Sequence, residues 1–219
     1  MKKLTIAVLI ICAISPWTWT ILHDHLYLGI LAILTAVLFS LEIISKKRNL
    51  KISYLKYLLL LVLLIVSFTL YLDRTRYAKS DNEVINTLYR HEYYAKELGK
   101  IYKNRFGILY FNNVKLLFRE YSDNMFSILH INNYFNTGFS KTRFLFIFLP
   151  FMILGLYLSL REINDKKLIL FIFLFGIMGL LDTSGGTGPF ILYPFFIYFI
   201  VKGLVYAPSI LGLGKHEKN

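Results

Sequence analysis

The chain has 219 residues, of which 56% are hydrophobic and only 17% are charged. An ordinary soluble domain is about 45–50% apolar and about 25% charged, so this composition excludes a soluble globular protein and indicates an integral membrane protein. The formal net charge is +12, which in a membrane protein is first a signal of orientation in the bilayer. The one cysteine, Cys12, excludes an intramolecular disulfide framework and a CxxC metal site.

Six apolar runs are separated by polar segments, and we interpret them as six transmembrane helices of an all-α protein. The first run has 19 uncharged residues after Lys2 and Lys3, enough to cross a bilayer core of about 30 Å. Small residues two apart, at 13 and 15, resemble a signal-peptide cleavage site, but Pro16 directly follows, so we favour an uncleaved helix. The runs are 4–22, 26–45, 57–72, 144–160, 168–181 and 190–207.

The fifth run is the shortest. Its 14 residues cover only about 21 Å as a helix, so residues 168–206 either cross the bilayer twice or form a re-entrant hairpin. The runs divide the chain into 1–72 with three spans, 73–143 as a polar region, 144–207 with three more spans, and 208–219 as a tail.

The short polar segments predict the orientation of these spans. The N-terminus, the 46–56 cluster, the 161–167 turn and the C-terminal segment hold 13 Lys and Arg, whereas the short loops 23–25 and 182–189 hold none. Basic residues concentrate in cytoplasmic loops. We therefore expect a multi-pass protein of the cell (inner) membrane with both termini in the cytoplasm and residues 73–143 outside. Lys202 then lies near the inner interface, where its amine reaches the headgroups.

The outer region is rich in aromatic residues, with eight tyrosines and six phenylalanines among its 71 residues, too many for a disordered linker. Ser80 and Glu83 have the spacing of a capping box, which predicts a helix over 81–98 that ends at Gly99. Gly107 is expected to break the chain before a second helix over 110–121. Residues 132–138 are typical of loop and turn.

Two isolated amphipathic helices bury little apolar surface, so we expect them to cover the membrane surface, the outer ends of the spans, or a partner. Several tyrosines suit the headgroup level of the bilayer. The expected partners are membrane lipid and a protein bound through 81–121, and the outward position argues against nucleic acid. The tyrosines are Tyr93, Tyr94, Tyr102, Tyr110 and Tyr134.

Few residues form a pattern typical of catalysis or of metal binding. His23, Asp24 and His25 are potential ligands, but alternating loop residues need a third ligand from elsewhere, and no spacing links them to His91, Glu92 or His130. We therefore predict no metal site and no cofactor. Asp182, before a glycine-rich turn, is either a functional acid or a turn cap.

Two segments carry a resemblance to a known family. Asp24 follows the first span, and residues 188–196 (GPFILYPFF) combine a Gly-Pro turn with an apolar, aromatic run. This layout resembles polytopic glycosyltransferases that use lipid-linked sugars, over about a fifth of the chain. Their first outer loop is longer than this one, so the resemblance implies a reduced or non-catalytic relative. It implies Asp24 as catalytic base, Asp182 as its aid, and Lys141 or Arg143 near the lipid phosphate.

Two hypotheses of function follow. The first is a non-enzymatic membrane protein that presents an aromatic-rich outer region to a protein or envelope partner. The second is a glycosyltransferase-like enzyme that acts on a lipid-linked sugar donor at the outer membrane face. An outer cavity joining Asp24 and Asp182 would favour the enzyme, whereas a filled bundle with an exposed aromatic face on 81–121 would favour interaction.

Overall fold

The computed structural model describes residues 2–41, 43, 50–77, 81–135, 143–162, 166–179 and 189–210, and these residues contain helices and turns without any strand. The prediction of an all-α protein is confirmed. Each of the six apolar runs contains a helix, although the helix bounds differ from the predicted ones.

The described residues up to Tyr77 form four helices: α1 (Lys2–Ile14), α2 (Pro16–Asp24), α3 (Leu26–Leu41) and α4 (Leu50–Tyr77). The first run is not the continuous helix that we predicted, because α1 and α2 meet at an angle of 72°. Ser15 lies between them in an extended conformation. Pro16 has no N–H to donate to the carbonyl one turn earlier, and the residue before a proline avoids helical angles.

Within 81–135, the outer region contains five helices: α5 (Asp81–Leu98), α6 (Lys100–Lys103), α7 (Arg105–Leu109), α8 (Lys115–Leu129) and α9 (Asn132–Phe135). The bounds predicted for α5 are confirmed. Gly99 ends it with φ of +51°, a left-handed conformation that glycine adopts without strain. Ser80 of the expected capping box lies outside the described residues.

The rest of the outer region differs from the prediction. The chain breaks at Asn104, between α6 and α7, whereas Gly107 lies inside α7. Gly107 is needed for close approach, since a β-carbon there would collide with the backbone carbonyl of Ile101. The second helix extends well beyond 110–121, from α7 through a π-helical turn at Tyr110–Val114 into α8. Residues 132–135 form a short helix instead of a loop.

The second half forms α10 (Leu149–Arg161), α11 (Lys166–Met178) and α12 (Tyr193–Ile210), with 3₁₀ turns at Phe146–Phe148 and Phe190–Leu192. Helix α12 is the centre of the bundle, and every residue from Pro189 to Gly203 is buried. Helices α1, α3 and α10 contact it directly. A helix that is apolar on all sides is suited to such a central position.

Among the described residues, only the segment Phe190–Pro208 forms a helix that is by itself long and apolar enough to cross a membrane. Two bent pairs of helices reach that length together: Leu4–Ile14 with Pro16–Asp24, and Phe146–Arg161 with Lys166–Met178. Leu26–Leu41 and Tyr57–Leu70 are shorter apolar helices. By length and composition, the structure therefore contains one to three spans.

Candidate functional site

The break between α1 and α2 is held by the backbone of a residue far along the chain. The carbonyl oxygen of Arg143 accepts two hydrogen bonds, from the Ser15 hydroxyl at 2.8 Å and from the Trp17 amide at 3.0 Å. A helix that restarts at a proline leaves its first N–H groups without partners in the helix. Arg143 supplies one of the missing acceptors, which fixes the segment after the outer region against the first helices.

Trp17 is the centre of an aromatic cluster at this break and is 1% exposed. Its ring centroid lies 5.8 Å from that of Tyr134, 5.6 Å from Phe144, 5.4 Å from Tyr193 and 6.0 Å from Phe196. The cluster joins α2, α9, the segment before α10 and α12, so it attaches the end of the outer region to the bundle.

Two further hydrogen bonds position this aromatic cluster. The hydroxyls of Thr18 and Tyr193 lie 2.7 Å apart in the buried interior and share a hydrogen bond. The amide of Phe144 donates to the carbonyl of Tyr134 at 2.7 Å. Because each bond joins residues on different elements, the relative positions of α2, α9 and α12 are set by directional contacts as well as by packing.

The guanidinium of Arg143 lies against this aromatic cluster. Its central carbon is 5.0 Å from the ring centroid of Trp17 and 5.0 Å from that of Tyr134, distances typical of cation–π contact. Burial lowers the pKa of Arg143 below its usual value, and the nearby Tyr134 opposes that change. The side chain is half-buried.

The hydroxyl of Tyr134 is a buried polar atom, and its described polar neighbour is the Arg143 guanidinium. Burial raises the pKa of this hydroxyl to about 12, because the phenolate is poorly solvated there, and the positive charge of Arg143 partly opposes the rise. The Arg143 guanidinium and the neutral Tyr134 hydroxyl therefore lie together at a position that is largely shielded from water.

Of the four predicted site residues, Asp24 and Arg143 lie among the described residues. Asp24 ends α2, and its one described side-chain contact is with its neighbour His23, at 3.3 Å between Nδ1 and Oδ1. No contact among the described residues joins Asp24 to Arg143, and Asp182 and Lys141 lie outside those residues. In the described part of the chain, no three His, Cys, Asp or Glu side chains lie close enough to hold a metal ion. Nothing described thus favours the enzyme hypothesis.

Sequence reasoning missed the aromatic cluster and predicted its members separately. Tyr134 was expected at the headgroup level, but it is buried, as is Trp17. The available signal was Ser15-Pro16, which marks a helix boundary and thus a place where backbone donors need partners.

The outer region has a small core of its own. The ring of Tyr102 is 1% exposed and its hydroxyl is hydrogen-bonded to Nδ1 of His91. The rings of Tyr94 and Phe111 are 5.0 Å apart, and the Lys115 amine donates to the Tyr94 hydroxyl at 3.1 Å. These contacts hold α5, α6 and the π-helical turn together.

The outer helices also expose many large apolar side chains. Phe106 is 81% exposed and Phe118 is 71% exposed. We call the following residues of α6, α7, the π-helical turn and α8 the outer apolar face: Ile101, Phe106, Leu109, Tyr110, Val114, Leu117 and Phe118.

The outer region is attached to the bundle through the C-terminal half of α8. Asn124 donates a side-chain hydrogen bond to the Gly179 carbonyl at 3.3 Å. Gly179 also lies against the side chains of Met125 and Tyr121, so that a β-carbon at this position would overlap both. Helix α8 therefore contacts the end of α11 through its C-terminal half. The outer apolar face lies away from this contact and is not covered by the described residues.

Comparison of the chain with protein-family models, with curated proteins and with solved structures found no match in any of the three. The resemblance to polytopic glycosyltransferases thus has no support beyond the residues that suggested it.

Proposed function

We propose that this chain is a six-span membrane protein with both termini in the cytoplasm, and that it displays residues 73–143 outside for a protein or envelope partner. The distribution of basic residues supports this orientation. In this proposal the first bent pair is one span, α3 and α4 are one span each, α10 and α11 are counted as separate spans although they form the second bent pair, and the segment Phe190–Pro208 is the sixth.

The outer apolar face is the observation that carries the proposal. Monomeric soluble surfaces rarely expose large contiguous apolar patches, and such patches mark binding surfaces. Exposed aromatic residues such as Phe106 and Tyr110 resemble the anchors of protein interfaces, where aromatic and Arg side chains are enriched. This surface is suited to binding a partner over a broad contact area rather than to catalysis at a single site.

The charges around this face indicate the chemistry of the partner. Lys100, Lys103 and Arg105 are exposed beside the apolar residues, and the whole region 73–143 has 12 basic against 7 acidic residues. Complementary potentials guide association and exclude partners of like charge. We therefore expect a protein partner whose apolar surface is bordered by acidic residues.

The test is site-specific photo-crosslinking in native membranes. A benzoylphenylalanine at position 106 or 118 is expected to give one discrete protein adduct, whereas the same probe at exposed Asp123 gives none. Charge reversal at Lys103 and Arg105 should abolish the adduct while the chain remains folded. Adducts with lipid alone, or with a second copy of this chain, would contradict the proposal and would identify the face as a membrane contact or as a dimer interface.

A further inference from the structure

We infer that residues 124–135 lie within the membrane leaflet next to the outer region, and that their exposed apolar side chains contact lipid acyl chains. We call these residues the charge-free segment. They form the end of α8, the turn after it and α9. The segment includes neither of the helices predicted over 81–98 and 110–121, and the inference does not depend on the partner of the outer apolar face.

The charge-free segment differs from the preceding part of the outer region in its charge. Residues 81–123 contain 13 Asp, Glu, Lys and Arg side chains, whereas residues 124–140 contain none. A helix on a water-exposed surface carries charged and polar residues on its outward face, and a charged side chain is costly within a bilayer. The loss of charge after Asp123 therefore marks the position at which the chain passes from water into the membrane.

Contacts at both ends hold the charge-free segment against the apolar bundle. At its start, the Asn124 side chain donates to the carbonyl of Gly179, just after the end of α11. At its end, the Tyr134 carbonyl accepts a hydrogen bond from the Phe144 amide, and the Tyr134 ring stacks on that of Phe196 in α12 with centroids 4.5 Å apart. The segment therefore runs along the ends of α11 and α12, at the boundary of the bundle.

The charge-free segment is apolar both towards the bundle and away from it. The side chain of Ile128 is buried in the core, whereas Phe126, Leu129 and Ile131 are exposed. Burial of such large side chains away from water is strongly favourable. Exposed apolar patches mark contacts with proteins or with membranes, so the outward side of this segment requires an apolar neighbour.

Hydrogen bonds within the charge-free segment suit it to a place with little water. The His130 amide donates to the Phe126 carbonyl at 3.1 Å, and the Asn133 amide donates to the His130 carbonyl at 2.9 Å. The Asn133 side chain donates to the Ser127 carbonyl at 2.6 Å. The last carbonyls of a helix lack partners within the helix, and in lipid they must be satisfied by the protein itself. The end of α8 meets this requirement at these carbonyls.

Continuity with the bundle favours lipid over a protein as the neighbour. Exposed apolar side chains continue at Leu145, Phe146 and Ile147, where the second bent pair of membrane length begins. The outer apolar face is instead bordered by Lys103 and Arg105, as is typical of the polar rim of a protein interface. Acyl chains need no such rim, and the charge-free segment offers no charge to form one.

The experiment compares two phenylalanines of α8 that are equally exposed, Phe126 at 72% and Phe118 at 71%. In a Cys12→Ala background, Phe126→Cys or Phe118→Cys carries an NBD fluorophore, and the full-length chain is reconstituted in vesicles of phosphatidylcholine and phosphatidylglycerol. A nitroxide on the acyl chain should quench the label at 126 at least about twofold more than the label at 118, which lies about 12 Å away along the helix.

Iodide on both sides of the vesicles is the complementary quencher. It should quench the label at 118 and spare the label at 126. Stronger quenching by iodide at 126 would overturn the inference, because the segment would lie in water. A label at 126 that neither quencher reaches would overturn it by showing a protein neighbour. Equal quenching by lipid at both positions would also overturn it, because the boundary would then not follow Asp123.

A second position guards against a local effect of the label. Leu129→Cys replaces another exposed side chain of the charge-free segment, and its label should respond to both quenchers as the label at 126 does. A label at 129 that responds as the label at 118 does would contradict the inference. Size-exclusion profiles and the midpoints of thermal unfolding, compared with those of Cys12→Ala, establish that each labelled variant is folded.

Discussion

Lys202 shows how a single charged residue is accommodated inside the bundle. It is 3% exposed, and its amine donates to the Ser159 hydroxyl at 3.0 Å and to Oε2 of Glu162 at 2.8 Å. We expected this amine to reach the headgroups. It instead reaches a carboxylate at the end of α10, because a buried charge is tolerated only with close partners. Lys202 lies near the middle of α12, and neither that position nor its partner was predicted.

The ion pair predicts an asymmetry between two variants. Glu162→Ala removes the carboxylate and leaves a buried charge, which should destabilise the fold by about 1–3 kcal/mol. Lys202→Met removes the charge and retains the volume, so it should cost less. Thermal unfolding of the purified protein in detergent gives the order, and the double variant should unfold close to Lys202→Met. A larger loss for Lys202→Met than for Glu162→Ala would contradict this account.

Tyr134 predicts a dependence of stability on alkaline pH. Its pKa is about 12 in the folded chain against about 10 when unfolded, so folding favours the protonated hydroxyl. This contribution to stability is complete below about pH 10 and is lost as the pH rises towards 12. We expect Tyr134→Phe to unfold at a higher pH than the wild type, measured by Trp fluorescence during base titration. Tyr110→Phe, at a ring that is 53% exposed, should match the wild type, and coincident curves for all three would refute the assignment.

At the level of elements, the contact between α10 and α12 is the most extensive in the bundle, and it depends on two glycines. A β-carbon at Gly155 would overlap the carbonyl of Phe199, and one at Gly203 would overlap the carbonyl of Phe151. Each helix has a second small residue four positions later, Ser159 and Ala207 respectively. Membrane helices approach closely through such pairs, where backbones meet without intervening side chains.

This contact predicts opposite effects for two glycine substitutions. Gly155→Ala should force α10 and α12 apart and destabilise the fold by about 1–3 kcal/mol through overpacking. Gly176→Ala in α11 is the matched control, since nothing lies within 4 Å of its β-carbon position, and it should be neutral or stabilise the fold by about 0.5–1 kcal/mol. The midpoint of thermal unfolding of each variant, compared with that of the wild type, gives the sign and size of the effect. Equal midpoints for both variants would show that α10 and α12 can separate freely.

The elements also differ in how well the sequence predicts them. Helix α5 was predicted to the residue, because an acidic start and Gly99 are signals within a single helix. The bend at Ser15 and the break at Asn104 were not. A proline is tolerated in many membrane helices, so Pro16 alone does not predict a break. The break is evident only from the Arg143 carbonyl, which accepts hydrogen bonds from the Ser15 hydroxyl and the Trp17 amide.

At the scale of the whole molecule, the contact between α3 and α12 bears most directly on the six-span topology, because it depends on the direction in which α3 runs. Phe39 near the C-terminal end of α3 lies 5.1 Å from Phe195 in the first turn of α12, measured between ring centroids. In the proposed topology both helices run inwards from the outer face, so α3 must begin well outside the start of α12 for these rings to meet. A topology in which α3 runs outwards also permits the contact.

Cysteine labelling decides between these topologies. Cys12 is the one cysteine of the chain, so Cys12→Ala gives a background for single cysteines at Asn104, Arg48 and His216. An impermeant maleimide should label position 104 in intact cells, and positions 48 and 216 only after permeabilisation. Labelling of position 48 in intact cells would show that α3 runs outwards, and labelling of position 216 would exclude cytoplasmic placement of the C-terminus.

Local sequence was enough to establish the helical character of all six apolar runs and the bounds of α5, and it predicts the membrane class. These properties depend on composition and on residues within a few turns of one another. Packing alone decided that α12 is buried as far as Gly203 and that Trp17, Tyr134 and Arg143 meet. The bend of the first run starts from Ser15-Pro16 and is held by the distant carbonyl of Arg143. Residues more than a hundred positions apart come together only when the helices pack against one another. Hydrophobic periodicity predicts that a face of a helix is buried, but it does not predict which helix covers that face.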